Sequence, residues 1–287
     1  MINGIFGKKI IDSMKIFILG TNGMLGRYVK TYFKQFYNIV ELNKDILDAS
    51  KITEERLTKI FQELNYSKGD IVINCIGTIK PMVDSLGDKN AILVNSVFPR
   101  ILSDVCESLN MIMIHPTTDC VYDGKIGNYN ENSIHDITDV YGRTKSLGEP
   151  KNCMVIRTSI IGEEVNGSRS LVEWAKSQNG KKVNGFLDHL WNGVTCLEWS
   201  KFVHNVIKTN GYWTGVRHIS SPSIVNKSEL LKMLSNSFNL NLEVQEINSG
   251  NPIDRTISSI FNQEFKIQEL SEQIKEMKEY SIKLFND

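Results

Sequence analysis

Three short runs in this chain pair chemically useful residue types with spacings that bring them together. Tyr141-Gly142-Arg143-Thr144-Lys145 sets a phenol and an amine four residues apart, one above the other on a helical face. A free tyrosine titrates near about 10. A neighbouring ammonium favours the phenolate and brings the hydroxyl towards useful proton transfer at neutral pH, so the pair is suited to acid chemistry. The second run, Thr118-Asp119-Cys120, sits inside His115 to Tyr122 at the end of a strand-like stretch, where ligands meet an open parallel sheet. Thr118 there can hydrogen-bond a substrate carbonyl. The third, Gly20-Thr21-Asn22-Gly23-Met24-Leu25-Gly26, lies between an apolar run and a helical pattern, so backbone amides and a helix N-terminus can face a pyrophosphate. Each run also has a plainer reading: a solvent-facing helix pair, a turn that ends a strand, a tight strand-to-helix turn. Cys120 has one too, as a small buried hydrophobe.

The elements that must position these residues are legible as a rhythm. From Met14 to about Thr158, apolar runs (KIFILG, NIVEL, DIVINCIG, MIMIHPTTD, CMVIRTS) alternate with amphipathic stretches opening at Met24 and lying near 54–64, 90–109 and 139–148. The apolar runs are nearly continuous, as in strands buried on both faces. The expected fold class is α/β: a doubly wound parallel sheet with a smaller C-terminal α/β part. Residues 1–13 precede the first strand as an extension, 14–160 form the nucleotide-binding unit, and 161–287 form a substrate-binding part interleaved with it. Beyond Ile160 the rhythm loosens around Asn-Gly pairs at 179–180, 184–185 and 192–193, and two helical patterns follow near 227–238 and 269–284.

Composition narrows the function. Lys plus Arg and Asp plus Glu both total 33, so no global field favours nucleic acid or an anionic membrane, while a local basic pocket for a diphosphate stays open. The five cysteines, Cys75, Cys106, Cys120, Cys153 and Cys196, contain no Cys-x-x-Cys pair; neither a metal site nor a disulfide framework is expected, which suits a reducing, cytoplasmic setting. No apolar run reaches the roughly 18 residues that would span a bilayer.

Taken together, the glycine loop, Thr118-Asp119, the YGRTK box and the strand ending in Arg157-Thr158-Ser159 resemble the extended short-chain dehydrogenases/reductases, in particular the dTDP-4-dehydrorhamnose reductase branch, over roughly Met14 to Thr195. The resemblance implies a Rossmann-type sheet, a nicotinamide cofactor and a 4-keto-6-deoxy sugar on a nucleoside diphosphate. It carries the family's catalytic Thr, Tyr and Lys onto Thr118, Tyr141 and Lys145. Reduced nicotinamide would deliver hydride to C4 while Tyr141 protonates the oxygen, Thr118 orients the carbonyl and Lys145 holds the nicotinamide ribose. Asn74, Cys75, Ile76 and Gly77 would line the cofactor and Asn95 would order the site. Near the second strand's end, Glu41, Asn43, Lys44, Asp45 and Asp48 are candidates for ribose or adenine. Lys44 suits a 2′-phosphate and Asp45 argues against one, so NADPH and NADH both stay open.

The departures from related families carry expectations of their own. Sugar-nucleotide dehydratases have a Thr-Asp-Glu segment, and Cys120 stands at the Glu position. GDP-fucose synthases, which epimerise and then reduce, have a Cys there, and plant UDP-rhamnose-forming epimerase/reductases pair a Cys with a Lys. Cys120 is therefore a candidate epimerase base, given a thiol whose pKa the site lowers, with Lys176 as its acid partner. HLWNGVTCLEW resembles the family's sugar pocket, which makes His189, Trp191, Asn192 and Thr195 candidates for the substrate wall, with Asp119 and Arg255 also facing substrate. A homodimer is compatible with this reading. The rival is a non-catalytic NAD(P)-binding role, because the regulatory subunit of methionine adenosyltransferase resembles the same reductases.

Overall fold

The computed structural model describes residues 14–165, 167–262 and 264–286; the proposed 1–13 extension lies outside them. Five apolar runs become parallel strands: β1 (Lys15–Leu19), β2 (Asn38–Leu42), β3 (Ile71–Asn74), β4 (Ile112–Thr118) and β5 (Met154–Thr158). A sixth, β6 (Gly215–His218), comes from the second half and pairs with β5. The spatial order is β6-β5-β4-β3-β1-β2.

Alternation along the strands explains the unbroken apolar runs. Ile16, Ile18, Ile73, Ile114 and Ile156 face one side, where they meet Tyr28, Val29 and Phe33 of helix α1 (Met24–Phe33) and residues from Cys196–Thr209 and Leu270–Asn286. Phe17, Leu19, Val72, Met113 and Val155 face the other, against Leu57 and Phe61 of helix α2 (Glu54–Glu63) and Phe98, Leu102 and Val105. Both faces are covered, as a doubly wound Rossmann-type sheet requires. No helix among the described residues is long and apolar enough to cross a membrane.

The chain leaves β1 towards β2 on one side and then crosses to β3 on the other. The carboxyl ends of β1 and β3 therefore form a topological switch point, the place where open α/β sheets bind ligands.

The pattern near 90–109 is two helices joined by an irregular turn: Asp88–Ile92, a π-helical segment Leu93–Val97, then helix α3 (Phe98–Ser108). Pro99 explains the break. It has no N–H to give the carbonyl four residues back, at Asn95, and its ring crowds that carbonyl. Val140–Leu147 forms helix α4, whose start is set by Asp139 accepting from Gly142 N at 2.8 Å.

Past Thr158 the chain builds small sheets. His189–Trp191 is the middle strand of one, between Val225–Asn226 and Ile253–Asp254, and Lys182–Phe186 pairs with Glu243–Ile247.

Candidate active site

The glycine loop has two different kinds of glycine. Gly20 sits at φ +80°, and a Cβ on Gly26 would come within 2.1 Å of the Gly20 carbonyl oxygen, so the turn and α1 pack too closely for side chains at either position. At Gly23, the N-cap of α1, a Cβ would meet nothing nearer than the same oxygen at 3.5 Å. Protein packing does not require a glycine there. No side chain caps α1, and its first turn has no acidic residue. The helix N-terminus is thus left open, as an anion cradle needs.

Two cavities meet at this loop. One, about 340 Å³, is lined by Gly23, Met24, Leu25, Asn74, Cys75, Thr118, Asp119, Cys120, Tyr141 and Lys145. The other, about 270 Å³, is lined by Gly20, Thr21, Asn22, Lys44, Asp48 and Ser50. Ile76, Gly77 and Thr78 line both, so the two form one elongated cleft. Its length and its open helix end fit a dinucleotide.

The three expected catalytic residues converge on the first cavity. Thr118 ends β4; its hydroxyl donates to Asp119 Oδ1 at 3.2 Å and accepts from Cys120 N at 3.1 Å. Tyr141 and Lys145 come from α4. Burial pushes the Tyr141 pKa up, the Cys120 thiol adds to the rise, and the Thr118 side chain opposes it. This corrects the expectation of an ammonium-activated phenol: Tyr141 holds its proton, and Lys145 Nζ donates to the Pro116 carbonyl at 3.3 Å. Burial lowers Lys145 from 10.5 to about 8.

Cys120 also departs from expectation. Burial first, and then the Asp119 carboxylate, push its pKa up to about 12, so at neutral pH it is a thiol and a poor base. Lys176 does not line the cleft. Its ammonium is held by Glu163 at 2.6 Å and Glu173 at 2.8 Å.

Two buried amides, Asn74 and Asn95, hold the loop after β3. Asn74 accepts from Ile76 N at 3.1 Å through Oδ1, and its Nδ2 donates to His115 Nδ1 at 3.2 Å. Asn95 lies in the π segment, where its amide accepts from Thr78 N at 2.8 Å and donates to Thr78 O at 2.9 Å and Thr144 Oγ1 at 3.3 Å. It ties the Cys75–Thr78 loop to α4. Its carbonyl, released by Pro99, lies against Gly148, where a Cβ would sit 1.7 Å away.

The expected substrate wall is largely turned to structural work. Thr195 caps helix Cys196–Thr209 by accepting from Glu198 N at 3.1 Å. Asn192 bonds both backbone groups of Ile257, at 2.8 and 3.0 Å. Trp191 is buried, and His189 lies against Phe186, 4.8 Å between ring centroids. None of the four is among the residues that line the two cavities. Arg255 donates to the Tyr122 carbonyl at 3.0 Å and, with Lys227, favours the charged form of buried Asp119, whose pKa burial raises.

Lys227 is a residue the sequence reading missed. Its ammonium lies 5.9 Å from the Trp191 ring centre and feels Asp119 and Cys120; burial lowers its pKa. A signal existed. Asn226 and Glu229 form a capping box that places Lys227 at the first helical position, where the helix dipole disfavours a cation.

Behind α4 lies a second missed feature. Arg157 is gripped by Glu149 at 3.0 and 2.6 Å, and its Nη1 donates to Tyr122 OH and His218 Nε2, each at 2.7 Å.

With this geometry, comparison with known proteins is informative. The family model described as RmlD substrate binding domain matches residues 14–261. The chain is similar to the dTDP-4-dehydrorhamnose reductase of Mycolicibacterium smegmatis, 29% identical over 170 residues, 55% of this chain and 49% of that one. It is also similar to methionine adenosyltransferase 2 subunit beta of Xenopus laevis, 24% identical over 257 residues, 80% of this chain and 74% of that one. The chain spans about half the length of the curated reductases it matches. The solved structure of dTDP-4-dehydrorhamnose reductase from Bacillus anthracis, in complex with NADP, superposes with a TM-score of 0.76 at 17% identity, covering 92% of this chain and 98% of that one. That likeness is one of fold. Because the family model takes in both the cleft and most of the second half, the chain belongs to the RmlD substrate-binding-domain family.

Proposed function

We propose that this chain is an NAD(P)H-dependent reductase of a 4-keto-6-deoxy sugar carried on a nucleoside diphosphate, of the dTDP- or UDP-4-dehydrorhamnose type. The observation that carries the reading is the convergence of Thr118, Tyr141 and Lys145 on a cleft continuous with the glycine loop. When bound, the reduced nicotinamide supplies a hydride. Tyr141, its pKa raised, keeps its proton until negative charge develops on the C4 oxygen and then donates it. Thr118 exchanges its bond to Asp119 for one to the same oxygen. The Lys145 ammonium holds ribose hydroxyls and offsets the phenolate left behind. Lys227 and Arg255 provide positive charge for the diphosphate. Because Cys120 stays a thiol, we propose reduction without coupled epimerisation.

The test is incubation with NADPH or NADH and UDP-, dTDP- and GDP-linked 4-keto-6-deoxy sugars in D₂O, following absorbance and product. Cofactor oxidation with at least one sugar is expected, with no deuterium at C3 or C5. Exchange at those carbons would restore Cys120 as a base. The length of the match to the methionine adenosyltransferase subunit supports a non-catalytic alternative. Tight dinucleotide binding with no turnover on any sugar would favour it.

Lys145 sets a pH limit. With its pKa lowered to about 8 in the unliganded protein, the ammonium is present below that value and lost above it, so kcat/KM falls about tenfold per pH unit at higher pH. Stability moves the other way. Between about 8 and 10.5 the unfolded chain binds more protons at this lysine than the folded one, so its contribution to stability rises with pH. A kcat/KM flat from pH 7 to 10 would remove Lys145 from the mechanism.

The loop glycines separate folding from binding. Gly26→Ala drives a methyl into the Gly20 carbonyl and should lower the melting temperature sharply. Gly23→Ala should melt like the wild type, yet bind NADPH at least about tenfold more weakly because its methyl enters the phosphate cradle. Full NADPH affinity in Gly23→Ala would place the phosphates elsewhere.

A further inference from the structure

A separate cavity of about 290 Å³ lies at the outer edge of the main sheet and shares no lining residue with the cleft. It is bordered by edge strand β6, helix Cys196–Thr209 and residues 262–265. Its volume is at the lower end for small-ligand sites, which run from roughly 300 to 1,000 Å³. One wall is aromatic. The Phe202 ring centre lies 6.3 Å from that of Trp213 and 5.8 Å from that of Phe265.

The polar lining carries both signs of charge. Arg217 of β6 is half-buried, and its guanidinium carbon lies 4.7 Å from the ring centres of both Trp213 and Phe261. The rings stabilise the cation but do not take its N–H donors as an oxygen would. Among the described residues no hydrogen bond or ion pair takes them either. Glu264 is exposed and lines the same cavity, and its carboxylate is equally uncommitted among those residues; the two charges do not pair with each other. The Asn205 side-chain amide, also in the lining, makes no hydrogen bond there. A simple anion would be attracted by Arg217 and repelled by Glu264, and a simple cation the reverse. A zwitterion meets both charges. We propose that this cavity binds a free α-amino acid with an aromatic side chain. Its carboxylate sits on Arg217 in charge-assisted hydrogen bonds, its ammonium on Glu264 and the Asn205 amide oxygen, and its ring against Phe202, Trp213 and Phe265.

The site goes beyond the reductase reading, and binding alone tests it, so loss of turnover on every sugar would leave it standing. Wild-type protein is titrated by calorimetry with L-phenylalanine and with three compounds that each lack one feature. Hydrocinnamate has no ammonium, phenethylamine no carboxylate and glycine no ring. Phenylalanine should bind saturably, and each of the others at least about tenfold more weakly. Arg217→Gln should weaken phenylalanine by a similar factor and spare phenethylamine. Glu264→Gln changes an exposed residue, where folding is not at stake; it should weaken phenylalanine while hydrocinnamate binds more tightly, because the repelling carboxylate is gone. No saturable binding of phenylalanine, hydrocinnamate bound as tightly as phenylalanine, or unchanged affinities in Glu264→Gln overturns the proposal.

Discussion

Tyr141→Phe is expected to reduce sugar turnover by about a hundredfold or more while binding NADPH as the wild type does, since it removes one general acid and keeps the ring that packs in the cleft. The structure sharpens the expectation. Burial and the Cys120 thiol both raise the Tyr141 pKa, so the phenol keeps its proton across the neutral range until negative charge develops beside it. Thr118 can hydrogen-bond the same oxygen, but an aliphatic hydroxyl is a far weaker acid than a phenol and does not substitute as the proton donor. Single-turnover rates with a saturating reductant would isolate the chemical step from binding. A variant that turns over at near-normal rate would remove Tyr141 as the acid.

The second large effect concerns folding. Glu149→Ala leaves the Arg157 guanidinium buried without its counter-charge, and breaking a buried pair from one side costs about 3–5 kcal/mol. Arg157 is 2% exposed and Glu149 9%, so water cannot restore the loss. The pair links β5 to the end of α4, and through Tyr122 and His218 it reaches the 258 backbone, where His218 Nδ1 donates to Ser258 O at 2.8 Å. Urea unfolding should show the deficit. Adding Arg157→Met to Glu149→Ala should recover much of it, because the orphaned charge is then gone. A single variant within about 1 kcal/mol of wild type would mean that the pair is not electrostatically isolated.

The first half was legible because its signals are local. Apolar runs such as Ile16 to Leu19 declare strands buried on both faces, and a Tyr and Lys four apart declare one helical face. Helix Cys196–Thr209 was not read, although its buried Cys196, Trp199, Val203 and Val206 follow a helical period. The Asn-Gly pairs at 179–193 loosen the pattern just before it. A further pair, Asn210-Gly211, is its terminator, with Asn210 at φ +54°, and Thr195-x-x-Glu198 is its start. The proposed substrate wall is a different case. A polar residue beside an aromatic reads as a ligand contact until its backbone partners are known, and Asn192 and Thr195 find theirs in Ile257 and Glu198. Lys227 meets Asp119 only through tertiary structure, across more than a hundred residues of chain.

The π segment at Leu93–Val97 can also be counted as one residue too many. A π turn accommodates a single extra residue in an otherwise regular helix, so deleting one residue from this segment, together with Pro99→Ala, would yield an ordinary continuous helix. Each residue of an α-helix turns about 100°. Everything before the deletion would rotate by that angle relative to α3, carrying the Asn95 amide away from Thr78 and withdrawing the carbonyl that rests on Gly148. The shortened helix would be better by local rules and the cleft worse. A single inserted residue, kept in place by one proline, thus sets the angular phase between the loop after β3 and the helix that carries Tyr141 and Lys145.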